Sequence, residues 1–288
     1  MAVLRAAESA IRAQPIFCCG GLWSCVASTT MTFAYRADEK TAKRVRAIVP
    51  KLIAGAYEAL NAQTHTSAKT SSSVFAVLVG WWQFTNRTAE GVIALYDAGL
   101  TVEAAPMVRN LVGHAYAINW LADGGDDAYK ALIAESYDAR RKLLNDLQAV
   151  NWQFPEGNVN IGEAPDFGFT ADEEKRHRRL VGELHNFNNM VQAYGTPMMY
   201  PVYRNLSSFS HTTDLTAAAY ASIDDEQRVT VHQVPRTDRL SDFCWMPVPL
   251  LQAASVMSPL LTGDPMKKLV SEACRDLGLP EDLTPKRP

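Results

Sequence analysis

Apolar residues recur every three or four positions through long stretches of this chain, and residue types that cap helices stand between the stretches. This spacing places the apolar side chains on one face of an α-helix, and that face must be buried against other helices. The alternation of apolar and polar residues that is typical of strands is found at residues 227–234. The pattern therefore predicts an all-α fold, a helical bundle of about seven to eight helices with at most one short β-strand or hairpin.

The starts of several helices are predicted by side chains that can accept a hydrogen bond from the first turn. Asp38 precedes the periodic segment 39–62, and a serine among Ser71 to Ser73 can cap the segment 74–98. Thr170 and Glu173 have the spacing of a capping box, in which each side chain bonds to the backbone of the other residue. These three positions are expected to begin helices.

Glycine and proline predict where helices end or bend. Gly99 is expected to end one helix, and Gly124 with Gly125 to separate the segments 102–122 and 128–150. Pro50 is expected to kink or divide the first helix, because proline lacks the N–H that a helix interior needs. The segment 266–279 is predicted to be the last helix and to end the fold.

The chain of 288 residues, 47% of them hydrophobic, is long enough to bury a sizeable core. Residues 36–288 are predicted to form a single helical domain, because the helices on both sides of the loop 152–169 are too apolar to stand alone. Residues 1–35 are predicted to be an N-terminal extension, which could be disordered. A poor secretion signal is the alternative, since basic residues precede the apolar run 15–27.

Charge and cysteine usage limit the compartment and the partners. The net charge is −3 and the sequence pI is near 6.1, whereas a DNA coater or a polybasic membrane binder would be more basic. We find no apolar run of the roughly 18 residues that a membrane span needs, and we expect no membrane partner and no sequence-specific reading of DNA. Five cysteines without a CxxC pair are typical of reduced thiols, so a cytoplasmic protein is predicted.

Several common kinds of site lack their sequence motifs. There is no GxGxxG motif, no Walker loop, no GxSxG elbow and no HExxH pair, and none of the six histidines pairs with another at helical spacing. We therefore expect neither a cofactor nor a metal.

The stretch RNLVGH, residues 109–114, places an arginine, an asparagine and a histidine in an otherwise apolar helical segment. At about 100° per residue, Arg109 and His114 fall about 140° apart around the helix axis, on either side of an apolar stripe. A charged guanidinium in such a helix needs a partner, because an unpaired buried charge is very costly. The partner could be another helix, a ligand or a second copy of the chain.

The pattern R-N-x-x-x-H resembles the active-site motif of HEPN-type (higher eukaryotes and prokaryotes nucleotide-binding) ribonucleases, which are all-helical and usually dimeric. The resemblance implies a metal-independent endoribonuclease of the toxin or defence kind, acting on RNA as a homodimer. It implies that Arg109 stabilises phosphate charge, that Asn110 orients the scissile group and that His114 is a general acid/base at an RNA 2′-hydroxyl. An imidazole suits this role because its pKa lies near neutrality.

A second resemblance covers residues 75 to 222. The stretch LYDAGLTVEAAPMVRNLVGHAYAINWLAD, with YRNLSSFSHTT about ninety residues later, is similar to a bacterial family of unknown function that is common in actinobacteria. The pattern of that family has Arg-x-Leu-x-Glu-His in a central helix, and this chain has Gly113 where the family usually has Glu. The family implies a helical fold and a cytoplasmic location, and no settled activity.

Two further groups of residues are candidates. Tyr203, Ser207 and His211 are spaced to lie on one face of one helix, which could meet Arg109 and His114 in a polar cluster. A basic run could hold an RNA backbone by charge. It consists of Lys175, Arg176, Arg178 and Arg179.

Two alternatives to the ribonuclease remain open. One is a non-catalytic helical binding or interaction protein, in which Arg109 pairs with an acid such as Glu103 or Glu90 and His114 bonds to backbone. The other is a ligand-binding enzyme or sensor, with His114 and His211 at the base of a small-molecule pocket.

Overall fold

The structure is a computed structural model, and it describes residues 35–62, 70–153 and 161–288. The predicted N-terminal extension lies outside the described residues apart from Tyr35, whose hydroxyl donates to the backbone carbonyl of Cys244. The described residues fold around one hydrophobic core, to which every long helix contributes.

The described residues are mainly helical, and the all-α prediction is confirmed. The α-helices are α1 (Glu39–Asn61), α2 (Ser72–Asp97), α3 (Ala105–Ala149), α4 (Ala171–His185), α5 (Phe187–Ala193), α6 (Met199–Ser207), α7 (Asp214–Tyr220), α8 (Leu240–Trp245), α9 (Pro247–Met257) and α10 (Lys267–Leu277). Two short 3₁₀ turns, Ser208–Ser210 and Ser258–Leu260, extend α6 and α9. The strands β1 (Ala221–Ile223) and β2 (Val229–Val231) form a small antiparallel hairpin in which Ala221 pairs with Val231.

The predicted helix starts are confirmed at their capping side chains. The Asp38 side chain accepts from the backbone N–H of Thr41 at 2.8 Å, and Thr170 and Glu173 form the reciprocal capping box. Ser71 caps α2 by accepting from Val74. Such bonds satisfy N–H groups that have no partner within the helix, so a few residues of sequence suffice to locate these starts.

The glycines interrupt or end helices where the sequence predicts, whereas the proline does not divide its helix. Gly125 has φ 54° and ψ −134°, which is far from helical and divides α3 where the glycine pair predicted a boundary. Gly99 follows the end of α2 with φ 77°, as expected of a residue that ends a helix. Pro50, in contrast, lies inside α1 without dividing it.

The first half of α3 is the centre of the bundle. α2, α4, α6 and α9 all pack against α3, and α1 and α10 pack against each other at one side. Trp82 from α2 and Trp120 and Tyr116 from α3 are almost completely buried between these layers. The stretch that carries the motif is therefore held by neighbours on several sides.

The last residues of the chain pack back onto the core, so the prediction that residues 266–279 end the fold is wrong. Leu283 is buried, and the side chain of Gln252 donates to its backbone carbonyl at 3.0 Å. Arg287 donates to both carboxylate oxygens of Glu183, at 3.0 and 2.7 Å, and Glu183 also accepts from the Trp120 indole. A buried carboxylate on α4 thus ties the tail to the bundle.

The helical run Leu240–Leu260 is long and apolar enough, by length and composition alone, to cross a membrane. However, 72% of its apolar window is buried inside the fold, and α9 packs against α3. The core helix of a soluble protein has the same composition, so this run is explained by its place in the core.

Candidate functional site

The motif residues occupy a partly exposed strip of α3. Arg109, Asn110, Gly113 and His114 are each partly exposed, whereas Leu111 on the other side of the same turns is buried. The neighbouring helices leave this strip accessible between α2 and α6. We call these four partly exposed residues the motif strip.

Arg109 points towards α6. Its Nε donates to the hydroxyl of Ser207 at 2.7 Å, and a terminal nitrogen lies 3.4 Å from the side-chain oxygen of Asn110. The guanidinium carbon lies 4.4 Å from the centre of the Tyr203 ring, within the range of a cation–π contact. All of these partners are uncharged, so they orient the guanidinium without neutralising its charge.

The acids that the binding-protein alternative assigned to Arg109 are engaged elsewhere. Glu103 accepts from the hydroxyl of Tyr220, and Glu90 accepts from Tyr57 and pairs with Arg87. Among the described residues, Arg109 has no ion pair. The predicted pairing of Arg109 with Glu103 or Glu90 is therefore wrong. The contacts of Arg109 with α6 are nevertheless of a kind that a purely structural arginine also makes.

His114 points towards α2. Its Nδ1 lies 2.9 Å from the backbone carbonyl of Asn110, and its ring packs against Phe84 with ring centres 4.5 Å apart. A carbonyl oxygen can only accept, so Nδ1 carries the proton in this bond and Nε2 is left as the basic nitrogen. Burial lowers the pKa of His114, against the opposing effect of the carbonyl, so the ring is neutral near pH 7.

Asn110 connects the two groups. Its side-chain oxygen lies beside Arg109, and its backbone carbonyl fixes the tautomer of His114. Arg109 and His114 nevertheless contact different helices, which corresponds to their separation around the axis of α3. One chain by itself therefore aims the arginine and the histidine in different directions.

The prediction that Tyr203, Ser207 and His211 share one helix face is wrong for His211. Tyr203 and Ser207 do lie on α6, but α6 ends at Ser207 and His211 is an exposed residue in extended conformation. The chain leaves the helix here because a new one begins: Thr213 is the extended capping residue of α7, and its hydroxyl donates to the carbonyl of Ser208 at 2.9 Å. No contact between His211 and the motif strip is observed among the described residues.

The basic run lies on α4, and Lys175, Arg176, Arg178 and Arg179 are all exposed. Arg176 pairs with Asp127 of α3 at 3.0 Å, and Arg178 and Arg179 lie 3.6 and 3.7 Å from carboxylates of their own helix. His114 and Gly124 are separated by ten residues of helix, about 15 Å, and Arg176 meets Asp127 beyond the break at Gly125. The run could track a nucleic-acid strand and could not share a single phosphate with His114.

His177, in the middle of the basic run, turns away from solvent. Its ring packs against the rings of Phe167 and Phe169, with ring centres 5.6 and 4.8 Å away. Its Nδ1 is buried and has no hydrogen-bond partner among the described residues. Burial is the first cause that lowers the pKa of His177, and the nearby Lys130 lowers it further.

A cavity of about 830 Å³, which the sequence did not predict, lies on the other side of the motif helix. Val108 and Val112 of α3 line one wall, and Arg239 and Asp242 line another. Neither His114 nor His211 is among the lining residues, so the cavity is not the pocket that the ligand-binding alternative described. Its charged residues come from a segment whose sequence looks like an ordinary helix start.

Among the residues that the structure describes, no group of three or more His, Cys, Asp or Glu side chains could hold a metal ion. Cys244 and Cys274 are buried and free.

Comparison with known proteins gives one match. A model described as a family of unknown function (DUF5677) matches residues 75–228, which is the region of the resemblance to a family of unknown function. No curated protein and no solved structure matches the chain.

Proposed function

We propose that this chain, which belongs to the family of unknown function DUF5677, is a metal-independent endoribonuclease of the toxin or defence kind that acts as a homodimer in the cytoplasm. His114 is the general acid/base, Arg109 binds phosphate and Asn110 orients both. The observation that carries the proposal is the motif strip, on which a guanidinium without a carboxylate partner and a neutral imidazole lie on an accessible side of one helix.

The state of His114 suits a general base. Its Nδ1 proton is held by the carbonyl of Asn110, so Nε2 presents a lone pair to a substrate hydroxyl. Burial favours the neutral form that can accept a proton. The RNA 2′-hydroxyl would lose its proton to Nε2 as its oxygen attacks phosphorus, the bond from phosphorus to the 5′-oxygen would break, and the 5′-oxygen would take a proton.

Arg109 suits the charge that develops on phosphorus. A guanidinium presents N–H donors in a fork that matches phosphate oxygens, and the Tyr203 ring and the Ser207 hydroxyl hold this one in place. Since its contacts are uncharged, the positive charge remains available to a ligand. A donor held in place before the reaction stabilises such charge without reorganising.

A second copy supplies what one chain lacks. Because Arg109 and His114 point towards different helices, we expect each phosphate to meet Arg109 from one copy and His114 from the other. The Phe84 side chain is 47% exposed beside His114, so a second copy that brought its Arg109 to this site would contact it.

The basic run on α4 would contact the RNA outside the reacting phosphate. Lys175 and Arg176 are exposed, and Arg176 lies beside Asp127, beyond the break of α3 at Gly125. Competition from Asp127 and from the acids of α4 makes this contact weak and dependent on salt. The run therefore adds affinity for RNA in general and no sequence preference.

The test is cleavage of end-labelled single-stranded RNA by the full chain in EDTA. We expect wild type to cleave, His114→Ala to lose at least a hundredfold in rate, and the matched control His232→Ala, in the β-hairpin, to retain the rate. A folded wild type that does not cleave would refute the proposal. Equal cleavage by wild type and His114→Ala would assign the activity to a contaminant.

Mixing the two inactive variants tests the shared site. In a heterodimer of Arg109→Ala and His114→Ala, one of two composite sites retains both groups, so activity returns on mixing. If both groups act from one chain, mixing restores nothing. Sedimentation of each variant must show the same dimer for this comparison to decide the point.

The alternative is a non-catalytic helical binding or interaction protein. The observation that favours it is the engagement of Arg109 by Tyr203 and Ser207, which is also what a structural arginine between α3 and α6 would show. Under this alternative, Arg109→Ala destabilises the fold and RNA is not cleaved by any variant.

A further inference from the structure

A cavity lies between α3, α6, α7, α8 and α9. Its volume of about 830 Å³ lies within the range of roughly 300–1,000 Å³ that is usual for pockets that bury small ligands. Most of its wall is apolar, with Val108 and Val112 from α3 and Leu215 from α7. The cavity is open to solvent on one side, where Arg236, Asp238 and Ser241 of its lining are exposed, so a ligand has a way in.

The segment 236–242 supplies most of the polar part of the wall, in which Arg236 and Asp238 are exposed and Arg239 and Asp242 are partly buried. The Arg239 and Asp242 side chains form an ion pair and are only 9% and 13% exposed. A terminal nitrogen of Arg239 donates to the side-chain oxygen of Asn205 at 3.0 Å, and its guanidinium carbon lies 4.1 Å from the centre of the Phe209 ring. The cluster is therefore held from two helices, α6 and α8, and from the turn between α6 and α7.

The backbone at Arg239 is strained in order to hold this position. Arg239 has φ 47° and ψ 30°, a left-handed conformation that a residue with a Cβ seldom adopts. Its carbonyl accepts from the hydroxyl of Tyr96 at 2.6 Å and from the backbone N–H of Asp242 at 2.9 Å. Strain of this kind persists where the surroundings hold the residue in place, and it is concentrated at functional sites.

The cluster fixes the chemical class of the ligand. Asp242 balances the charge of Arg239, so this pair attracts an anionic molecule only weakly. A cationic molecule would be repelled by the guanidinium of Arg239. Asp242 and Asn205 engage Nε and one terminal nitrogen, and a guanidinium has five N–H donors, so donors remain for a further acceptor. The rest of the wall is apolar and favours an apolar ligand, because binding removes apolar surface of both from water.

We propose that this cavity binds an uncharged, largely apolar small molecule that presents a carbonyl oxygen to Arg239. The site is separate from the motif strip, which lies on the other side of α3, and the proposal does not depend on ribonuclease activity. Gln252, whose amide donates to the carbonyl of Leu283, also lines the cavity and fixes its floor through the C-terminal tail.

The test uses prodan, an uncharged naphthalene dye with one carbonyl, whose emission shifts to the blue in an apolar site. We expect the full-length protein to bind one molecule with a blue shift, as judged by titration and native mass spectrometry. Leu215→Trp should fill the cavity and weaken binding at least tenfold. The matched control Val229→Trp adds the same side chain on the exposed strand β2 and should leave binding unchanged.

The role of Arg239 needs a variant that still folds. Replacing the whole pair, Arg239→Met with Asp242→Leu, avoids a lone buried charge, and such replacements are often neutral or stabilising. We expect this double variant to bind prodan about tenfold more weakly, and to bind 2-dimethylaminonaphthalene, which lacks the carbonyl, as wild type does. Unshifted prodan in a folded wild type would refute the site, and equal binding by the double variant would refute the role of Arg239.

Discussion

Removal of Arg287 should destabilise the fold far more than its position near the end of the chain suggests. The Glu183 carboxylate that Arg287 binds is 5% exposed, whereas the Arg287 side chain itself is 28% exposed. Arg287→Ala removes two hydrogen bonds to this carboxylate and leaves its charge in the core. Breaking a buried pair in this way costs about 3–5 kcal/mol.

The remaining contacts place the expected loss at the low end of that range. The Trp120 indole still donates to Glu183 at 3.1 Å, and Arg179 lies 3.7 Å away with a side chain that is 62% exposed. The lost bond to Asp123 adds little, because that carboxylate is 45% exposed and water can replace the arginine. We expect a loss of about 3 kcal/mol, a large share of a typical unfolding free energy of roughly 5–15 kcal/mol.

The assay is equilibrium unfolding in urea, carried out as a double-mutant cycle with Glu183→Gln. In the glutamine background no charge is left behind, so Arg287→Ala should cost only about 1 kcal/mol, and the coupling energy should be about 2 kcal/mol. Lys286→Ala is the matched control, since Lys286 is 73% exposed and should cost less than about 0.5 kcal/mol. A coupling energy below about 0.5 kcal/mol would refute the reasoning from burial.

Three further predictions concern single positions. Burial lowers the pKa of His114 below its ordinary value of 6.5, so the unfolded chain binds the proton first and the folded state loses stability as the pH falls below 6.5. In thermal melting from about pH 5 to 8, His114→Gln should therefore lose less stability at acid pH than wild type does. The loss of stability that is due to His177, whose pKa is also lowered, should remain in the variant. Gly125→Ala should lower the unfolding free energy by about 1–3 kcal/mol, because its backbone conformation suits glycine alone, whereas Gly80→Ala, in the open middle of α2, should raise it by about 0.5–1 kcal/mol; the opposite order in urea unfolding would contradict this account. Thr170→Ala should cost about 1 kcal/mol by removing the capping box, and Thr170→Ser should restore most of it.

The sequence predicts the features that depend on neighbouring residues. Asp38, Ser71 and Thr170 cap helices as expected, since each bond joins residues three positions apart. The same local chemistry explains an error, because Thr213 caps a new helix and the extended residue His211 before it lies outside α6. Apolar periodicity alone did not show that a second helix begins after Thr213.

Features that join distant parts of the chain could not be predicted in this way. The contact of Arg239 with Asn205 spans 34 residues, and that of Arg287 with Glu183 spans 104. In the sequence, Arg239 and Asp242 have the spacing of an ordinary helix start. Only the packing of α6 against the core shows that this pair faces a cavity rather than solvent.

The nine-residue helix α6 contacts the motif strip with one side and the cavity with another. Tyr203 and Ser207 hold Arg109, while Asn205 holds Arg239 of the cavity. If the motif strip binds RNA and the cavity binds a small molecule, as proposed above, a cavity ligand that displaces α6 would alter the affinity for RNA, and thermodynamic reciprocity requires RNA to alter the affinity for the ligand by the same factor. Through one short helix, the small molecule would be an allosteric effector of the RNA site, and RNA an effector of the small-molecule site.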